Sequence, residues 1–196
     1  MSKNRNINCI SIFIFVIIVL VLLVGICSYY VFFRNKSDSS IIFIHSDNND
    51  IISIENSLPI EDSVGKLLSS DETNNKLKGY FEFVLSPKIP KNSLIHYEIV
   101  AEKVPANNEI SDKYVKVYLS DGEYDLPVKG YNLSDIPTYA ELNNSNIDSR
   151  YKVLYSGTFN NNKEKKFILR MWLADNYIVN DIDKKFSIRI SVKVKN

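Results

Sequence analysis

The chain has 196 residues, enough for one domain with a core of its own, and its formal net charge is +1. Four positive residues flank an apolar N-terminal segment, so the rest carries a formal charge of about −3, which excludes a nucleic-acid-binding protein because that class needs a concentrated basic surface. Both cysteines, Cys9 and Cys27, lie in or beside the apolar segment, so the remainder has neither a disulfide framework nor a cysteine-based metal site.

The first predicted element is a membrane anchor at Ile10 to Phe33, behind a short tail of residues 1–9. This segment has no charged residue and ends at Arg34. At about 1.5 Å per helical residue it is long enough to span a hydrocarbon core of about 30 Å. Positive residues lie on both sides of the anchor and do not decide its orientation. The tail is short, however, and the sequence that can form a folded domain follows the anchor. We therefore expect a single-pass protein of the cell membrane, with a cytoplasmic N-terminus and a linker at 34–40 that leads to an extracytoplasmic domain.

Two alternatives to a retained anchor stay open. A cleaved signal peptide has an apolar region of about 7–15 residues followed by small residues, and this segment is longer and lacks them. Lipidation of Cys27 would require a small residue where Ile26 stands. With the anchor retained, as we expect, the membrane is a partner of this protein.

The first elements after the linker are a hairpin and a mixed segment. Ile41–Ile44 and Ile51–Ile54 are β-branched runs separated by the polar stretch Ser46–Asp50, which predicts a β-hairpin. In the segment that follows, Val64–Leu68 suits one helical turn. Gly65 weakens that prediction, because glycine disfavours a helix interior.

Six strands are predicted after Gly79, because aromatic and β-branched residues alternate with polar ones. The last strand alternates without interruption from Phe186 to Val194. The Asn-rich stretch at 160–163 predicts a second hairpin between the two strands that flank it. The predicted strands are Tyr80–Leu85, Leu94–Val104, Tyr114–Leu119, Arg150–Phe159, Lys165–Leu173 and Phe186–Val194.

The pattern of these strands predicts an all-β fold. One apolar and one polar face per strand is typical of antiparallel sheets. Short strands with turns between them favour an antiparallel β-sandwich, of Ig-like or jelly-roll-like type, over residues 41–196. The connection at 123–149 is too long for a hairpin loop, so we expect it to lie over a sheet face or an end of the sandwich.

No pattern predicts a catalytic residue, a cofactor or a metal ion. His45 and His96 are the only histidines, and neither has a cysteine or second histidine at zinc-ligand spacing. Ser120 and Ser156 stand near glycines, but both suit strand and turn positions better than the strained turn of a serine nucleophile. Two acidic clusters lack the spacing of a calcium loop. They are Asp47 with Asp50, and Asp175 with Asp181 and Asp183.

Four residues form a candidate partner-binding patch. In Lys165–Leu173 alternate apolar residues must point inward, which places Arg170 and Trp172 on the opposite face. Tyr114 and Tyr118 are similar exceptions on the polar face of their strand. Arginine and aromatic residues on one surface are typical of interaction hot spots.

Trp172 leaves two alternatives for this patch. A tryptophan carries about 150–250 Å² of surface, so leaving it in water forfeits much favourable burial. In one alternative the 123–149 connection folds over it, with Tyr131, Ile136 or Tyr139 in contact. In the other, the patch is exposed and a partner covers it.

Part of the sequence resembles known surface proteins. Tyr155-Ser156-Gly157, the stretch Phe167–Asp175 with its "LRMW" strand, and Lys185–Ile188 are similar to uncharacterised membrane-anchored surface proteins of low-GC Gram-positive bacteria. More distantly they resemble the β-sandwich of the TasA/camelysin biofilm-fibre group. The resemblance covers Gly79–Asn196 and implies an extracytoplasmic β-sandwich and assembly on the cell surface. It supplies no catalytic residues, and the long anchor departs from the cleaved signal peptide of the fibre group.

Together these observations favour a membrane-anchored cell-surface protein that is not an enzyme. Its ectodomain would be a binding or envelope-assembly module with an unknown protein or envelope partner. The second hypothesis is a fibre- or pilus-like subunit that assembles through sheet edges. The third is a hydrolase that acts on envelope material.

Overall fold

The structure is a computed structural model that describes residues 17–26, 41–45, 50–55, 57–69, 79–128, 135–179 and 184–195. The chain divides into two units, Met1–Ser39 and Ser40–Asn196. In the first unit, residues 17–26 form helix α1. Among the described residues no helix has both the length and the apolar character that a membrane crossing needs. The remaining parts of the predicted anchor, residues 10–16 and 27–33, lie outside the described residues.

The described residues of the second unit form eight strands, and the six strands predicted after Gly79 are all present within a few residues of their expected bounds. It also contains a four-residue helix α2, Asp62–Gly65, and two short 3₁₀ turns at Asp112–Tyr114 and Tyr139–Glu141. The strands are β1 Ile41–His45, β2 Ile51–Glu55, β3 Tyr80–Lys88, β4 Ile95–Lys103, β5 Val115–Asp121, β6 Tyr151–Phe159, β7 Lys165–Leu173 and β8 Lys185–Lys195.

The strands form two antiparallel four-stranded sheets that pack together as a β-sandwich. The first sheet has the order β1-β3-β7-β5 and the second the order β2-β8-β4-β6. Odd-numbered strands are in one sheet and even-numbered strands in the other, so every connection between described strands crosses from one sheet to the other. Ig-like sheets place consecutive strands side by side. The observed strand order therefore differs from that of the Ig-like alternative.

Both predicted hairpins are wrong for the same reason. β1 pairs with β3 while β2 pairs with β8, and β6 pairs with β4 while β7 lies between β3 and β5. A polar turn permits the chain to reverse, but it does not decide whether the two strands bond to each other or to strands in opposite sheets. Both turns therefore connect facing sheets.

The core lies between the sheets and confirms the predicted alternation. On β8, Phe186, Ile188 and Ile190 are fully buried, while Val192 and Val194 pack half-buried against the same core. Val115, Val117 and Leu119 point inward from β5. A second, smaller cluster lies on the outer face of the first sheet, where Leu68, Tyr118, Ile136 and Trp172 are buried together.

Candidate functional site

Trp172, the centre of the predicted patch, is buried. Only 1% of it is exposed, and its neighbours in the small cluster are Leu68, Tyr118 and Ile136. The indole N–H donates to a carboxylate oxygen of Asp62 at 3.1 Å. The covering chain is thus partly the predicted connection, through Ile136, and partly the segment 57–69, which was not predicted to take this place.

Arg170 is also buried, with 4% exposed, and all three nitrogens of its guanidinium donate hydrogen bonds. Nη1 and Nη2 donate to the two carboxylate oxygens of Asp125 at 2.7 and 2.8 Å. Nε donates to the carbonyl of Leu68 at 2.6 Å, and Nη1 also donates to Ser120 Oγ at 2.9 Å. Arg170 therefore ties the segment 57–69 and the chain after β5 to the outer face of the first sheet.

The charge of Asp125 is set by this contact. Burial raises the pKa of the Asp125 carboxyl, but the hydrogen bonds from Arg170 and Ser120 outweigh burial and hold the pKa below its ordinary value. Its backbone φ is 53°, in the left-handed region that asparagine and aspartate tolerate better than most residues. The carboxylate is thus ionised and pointed at Arg170 by an unusual local backbone.

The two tyrosines of the predicted patch are not equivalent. Tyr118 is buried in the small cluster, whereas Tyr114 is half-buried and packs edge-on against Tyr177, with ring centres 5.2 Å apart. The exposure that the patch hypothesis needs is therefore not found for Tyr118, Arg170 and Trp172. Of the predicted contacts with Trp172, Ile136 makes one, Tyr139 lies in the main core, and Tyr131 is outside the described residues.

Among the described residues, the structure does not bring the histidines, serines and acidic residues of the sequence analysis together into a catalytic or metal-binding site. His45 and His96 are exposed on β1 and β4. Ser156 donates to Glu98 at 3.5 Å and Ser120 is buried beside Arg170, so neither serine has a described hydrogen bond to an imidazole. In the described part of the chain no group of three or more His, Cys, Asp or Glu residues could hold a metal ion. Of the two acidic clusters, Asp47, Asp181 and Asp183 fall outside that part.

Glu98 is a buried carboxylate on the outer face of the second sheet. It accepts hydrogen bonds from Lys195 at 2.6 Å and from Ser145 at 2.8 Å. Burial raises the pKa of Glu98, but the hydrogen bonds from Lys195 and Ser145 outweigh it and lower the pKa overall. These two hydrogen bonds attach the end of β8, through Lys195, and the chain before β6, through Ser145, to Glu98 in β4.

Two open grooves flank Tyr155 and Lys165. One, of about 540 Å³, runs along β4 and β6 past Tyr97 and Gly157. The other, of about 650 Å³, lies beside the chain after β5. Tyr97 is fully buried, and its hydroxyl has no hydrogen-bond partner among the described residues, so it is not presented to a ligand in the groove.

The edges of the sheets differ in how well they are protected. At β5, the chain that follows the strand bonds to its outer side: Val117 N–H donates to Pro137 and Asp121 N–H donates to Leu126, at 3.0 and 2.8 Å. At β6, Ser145 N–H donates to the carbonyl of Tyr151 at 2.8 Å. The connection between β5 and β6 thus covers β5 and the first half of β6.

The outer edge of β1, residues Ile41–His45, has no such cover among the described residues, and we name it the open edge. Within the described ranges only β3 pairs with β1. Phe43 is 48% exposed and Ile41 is 43% exposed, while Ile42 and Ile44 pack half-buried against the core. The strand has no proline and no lysine or acidic residue, the features that usually protect an edge from pairing.

The edge of β2 is better protected than the open edge. It carries one charge, Glu55, which lies 3.7 Å from the ammonium of Lys185, and its exposed apolar residue Ile51 is 37% exposed, less than Ile41 or Phe43. The sequence signal for the open edge was present in the uninterrupted apolar run Ile41–Ile44. The hairpin that the sequence predicts for this run would have covered the edge.

Comparisons with family models, with curated proteins and with solved structures found no match to this chain.

Proposed function

We propose that this chain is a non-catalytic cell-surface protein, anchored in the membrane by Ile10 to Phe33, whose β-sandwich is an assembly module that associates through the open edge. The observation that carries the proposal is the exposure of Phe43 and Ile41 on an edge strand that lacks protecting charges. The outer side of such an edge strand offers a row of backbone donors and acceptors together with two large apolar side chains. Addition of a strand to such an edge is a common mode of protein association.

Anchoring in the membrane would favour association through the open edge, because it confines all copies of the chain to one surface. Seven residues, 34–40, separate the predicted anchor from β1. Confinement to a surface raises the effective concentration of edges, so weak pairing suffices for assembly.

Photo-crosslinking in intact cells tests the open edge. A photoreactive residue placed at Phe43 should give a crosslinked product of higher mass, because the proposal places a partner there. The matched control is Tyr124, another aromatic residue, which is 70% exposed after β5 and outside the open edge. Crosslinking at position 124 but not at position 43 would overturn the proposal.

Protease accessibility tests the topology. Added protease should digest Lys76 to Lys113 in intact cells, or in protoplasts where a wall blocks access, while the N-terminal fragment stays in the membrane pellet. Protection of that region until the cells are lysed would reverse the orientation. Release of the whole domain without protease would instead show that the anchor is cleaved.

A further inference from the structure

We infer that the open edge pairs with the open edge of a second copy of this chain, so that the protein forms a closed two-fold dimer and not a fibre. This inference rests on the proposed function, which requires only that the edge has some partner. The geometry of the four edges and the side-chain pattern of β1 identify that partner.

The covered edges make a head-to-tail fibre unfavourable. A fibre needs β1 to pair with a different edge of the next copy, because a heterologous contact uses two distinct surfaces. β5 and the first half of β6 are already bonded to the chain between them, and the edge strand β2 ends in the exposed charge of Glu55, which disfavours pairing. In the second half of β6, Lys165 Nζ donates to the carbonyl of Thr158 at 3.4 Å. Self-pairing needs only the open edge in both copies, and it closes after two.

The two faces of β1 restrict the register of this pairing. Ile42 and Ile44 face the core, whereas Ile41, Phe43 and His45 are exposed. A shift by one residue would place core-facing residues opposite exposed ones, so only registers that match like faces are favourable. Among these, the register centred on Phe43 pairs all five residues of the strand.

In this register the exposed apolar surface is covered. Phe43 faces its own counterpart, with about 4.5–5.5 Å between the paired Cβ atoms. Ile41 faces His45 of the second copy, and Ile42 faces Ile44, which extends the core of both sandwiches across the contact. The first sheet then continues through the two-fold axis as one antiparallel sheet of eight strands.

Cysteine crosslinking separates this register from the alternatives. The full chain in detergent carries Cys9→Ser and Cys27→Ser, which removes both native thiols. Phe43→Cys should form a disulfide dimer on mild oxidation, because its Cα atoms lie within the limit of about 7 Å for a disulfide. Ile41→Cys is the matched control. It is similarly exposed, but two copies of residue 41 are separated by about 13 Å along the paired strands.

The expected result is at least about tenfold more dimer for Phe43→Cys than for Ile41→Cys, since only the first pair meets disulfide geometry. A mixture of Ile41→Cys chains with His45→Cys chains should form the mixed dimer. A chain carrying both of these cysteines should stop at the dimer. Equal crosslinking at positions 41 and 43, or a ladder of higher species from the doubly substituted chain, would overturn the closed dimer.

A second measurement does not depend on cysteine chemistry. Sedimentation of the unsubstituted full chain in detergent should show a concentration-dependent dimer. Phe43→Lys should abolish it and Tyr124→Lys should not, and at concentrations where the parent is monomeric both variants should unfold at the parent's temperature. A Phe43→Lys chain that still dimerises would contradict the inference. Crosslinking of a different protein at position 43 in cells, with no dimer, would reject the inference and leave the proposed function in place.

Discussion

Gly65 lies against the indole ring of Trp172, where no side chain fits. A Cβ atom on Gly65 would stand 2.7 Å from the indole nitrogen and closer still to two ring carbons. Helix α2 can therefore cross the outer face of the first sheet only with glycine at this position. Local helix propensity and tertiary packing oppose each other here, because alanine is better than glycine in a helix by about 1 kcal/mol.

Gly65→Ala should destabilise the domain, because the clash with the ring outweighs the gain in helix propensity. We expect a loss of about 1–3 kcal/mol in the free energy of unfolding, the usual cost of an extra methyl group in a packed site. Trp172 is the only tryptophan, so its fluorescence reports directly on the contact during chemical denaturation. Val64→Ala, at the exposed neighbouring position in the same helix, should change stability by less than about 0.5 kcal/mol. Equal effects would mean that α2 is not packed on Trp172.

Asp125→Asn should leave the Arg170 guanidinium buried without its counter-charge. Removal of one partner of a buried ion pair costs about 3–5 kcal/mol. Asp125 is itself half exposed, so we expect a smaller loss, of about 1–3 kcal/mol, in the free energy of unfolding. Asparagine tolerates the positive φ at this position, so the substitution should add no backbone strain to the measured loss of stability.

The matched control for Asp125→Asn is Asp148→Asn. Asp148 also makes a bidentate contact, with Arg150, but that arginine is exposed and the pair lies in water. Exposed ion pairs contribute about 0.2–1 kcal/mol. A loss at Asp125 no larger than the loss at Asp148 would show that the Arg170 site admits enough water to solvate the guanidinium.

The contribution of Asp125 to stability should depend on pH. Because its pKa is lower in the folded state than the unfolded value of about 3.9, its contribution is fully present above about pH 4 and is lost as the pH falls through the folded pKa. The difference in unfolding free energy between the parent and Asp125→Asn should therefore shrink on acidification below about pH 4. Tyr139→Phe, which removes no group that titrates in this range, should give a constant difference. A constant difference for Asp125→Asn as well would contradict the lowered pKa.

The strands after Gly79 could be predicted from the sequence because burial of one face imposes a period of two. Phe186 to Val194 is the clearest case, and its inward residues line the core as expected. The same pattern could not decide whether the outer face of β7, with Arg170 and Trp172, is buried or exposed. Phe167 to Leu173 is buried throughout because segments distant in sequence cover its outer face.

The pairing of strands could not be predicted, and neither could the part of the cover over Trp172 that residues 57–69 supply, since both depend on contacts between distant residues. The turn at 160–163 has the same composition whether β6 and β7 bond to each other or lie in opposite sheets. Likewise, Gly65 argued against a helical turn by local propensity, and only its contact with Trp172 explains the glycine there. The open edge was missed because the predicted first hairpin would have covered it.

Tyr97→Phe should be neutral or stabilising, which is unusual for a buried tyrosine. The Tyr97 ring stacks on Phe159 with ring centres 4.7 Å apart, and its buried hydroxyl has no hydrogen-bond partner in the part of the chain that the structure describes. An unsatisfied buried hydroxyl loses its bonds to water and gains none in return, at a cost of about 1–3 kcal/mol. Phenylalanine keeps the ring contact and removes that cost, so chemical denaturation should show an unchanged or higher free energy of unfolding.

Tyr139→Phe is the matched control in the same core. Tyr139 is almost fully buried and packs edge-on against Phe186, but its hydroxyl donates to the carbonyl of Ala101 at 3.3 Å. Loss of that hydrogen bond should cost about 0.5–1.5 kcal/mol and leave the carbonyl of Ala101 with one partner fewer. The two substitutions remove the same atom from similar surroundings and should change stability in opposite directions, or at least differ by the strength of one hydrogen bond. Equal losses would show that the Tyr97 hydroxyl has a partner in solution, such as a bound water molecule in the groove beside Gly157.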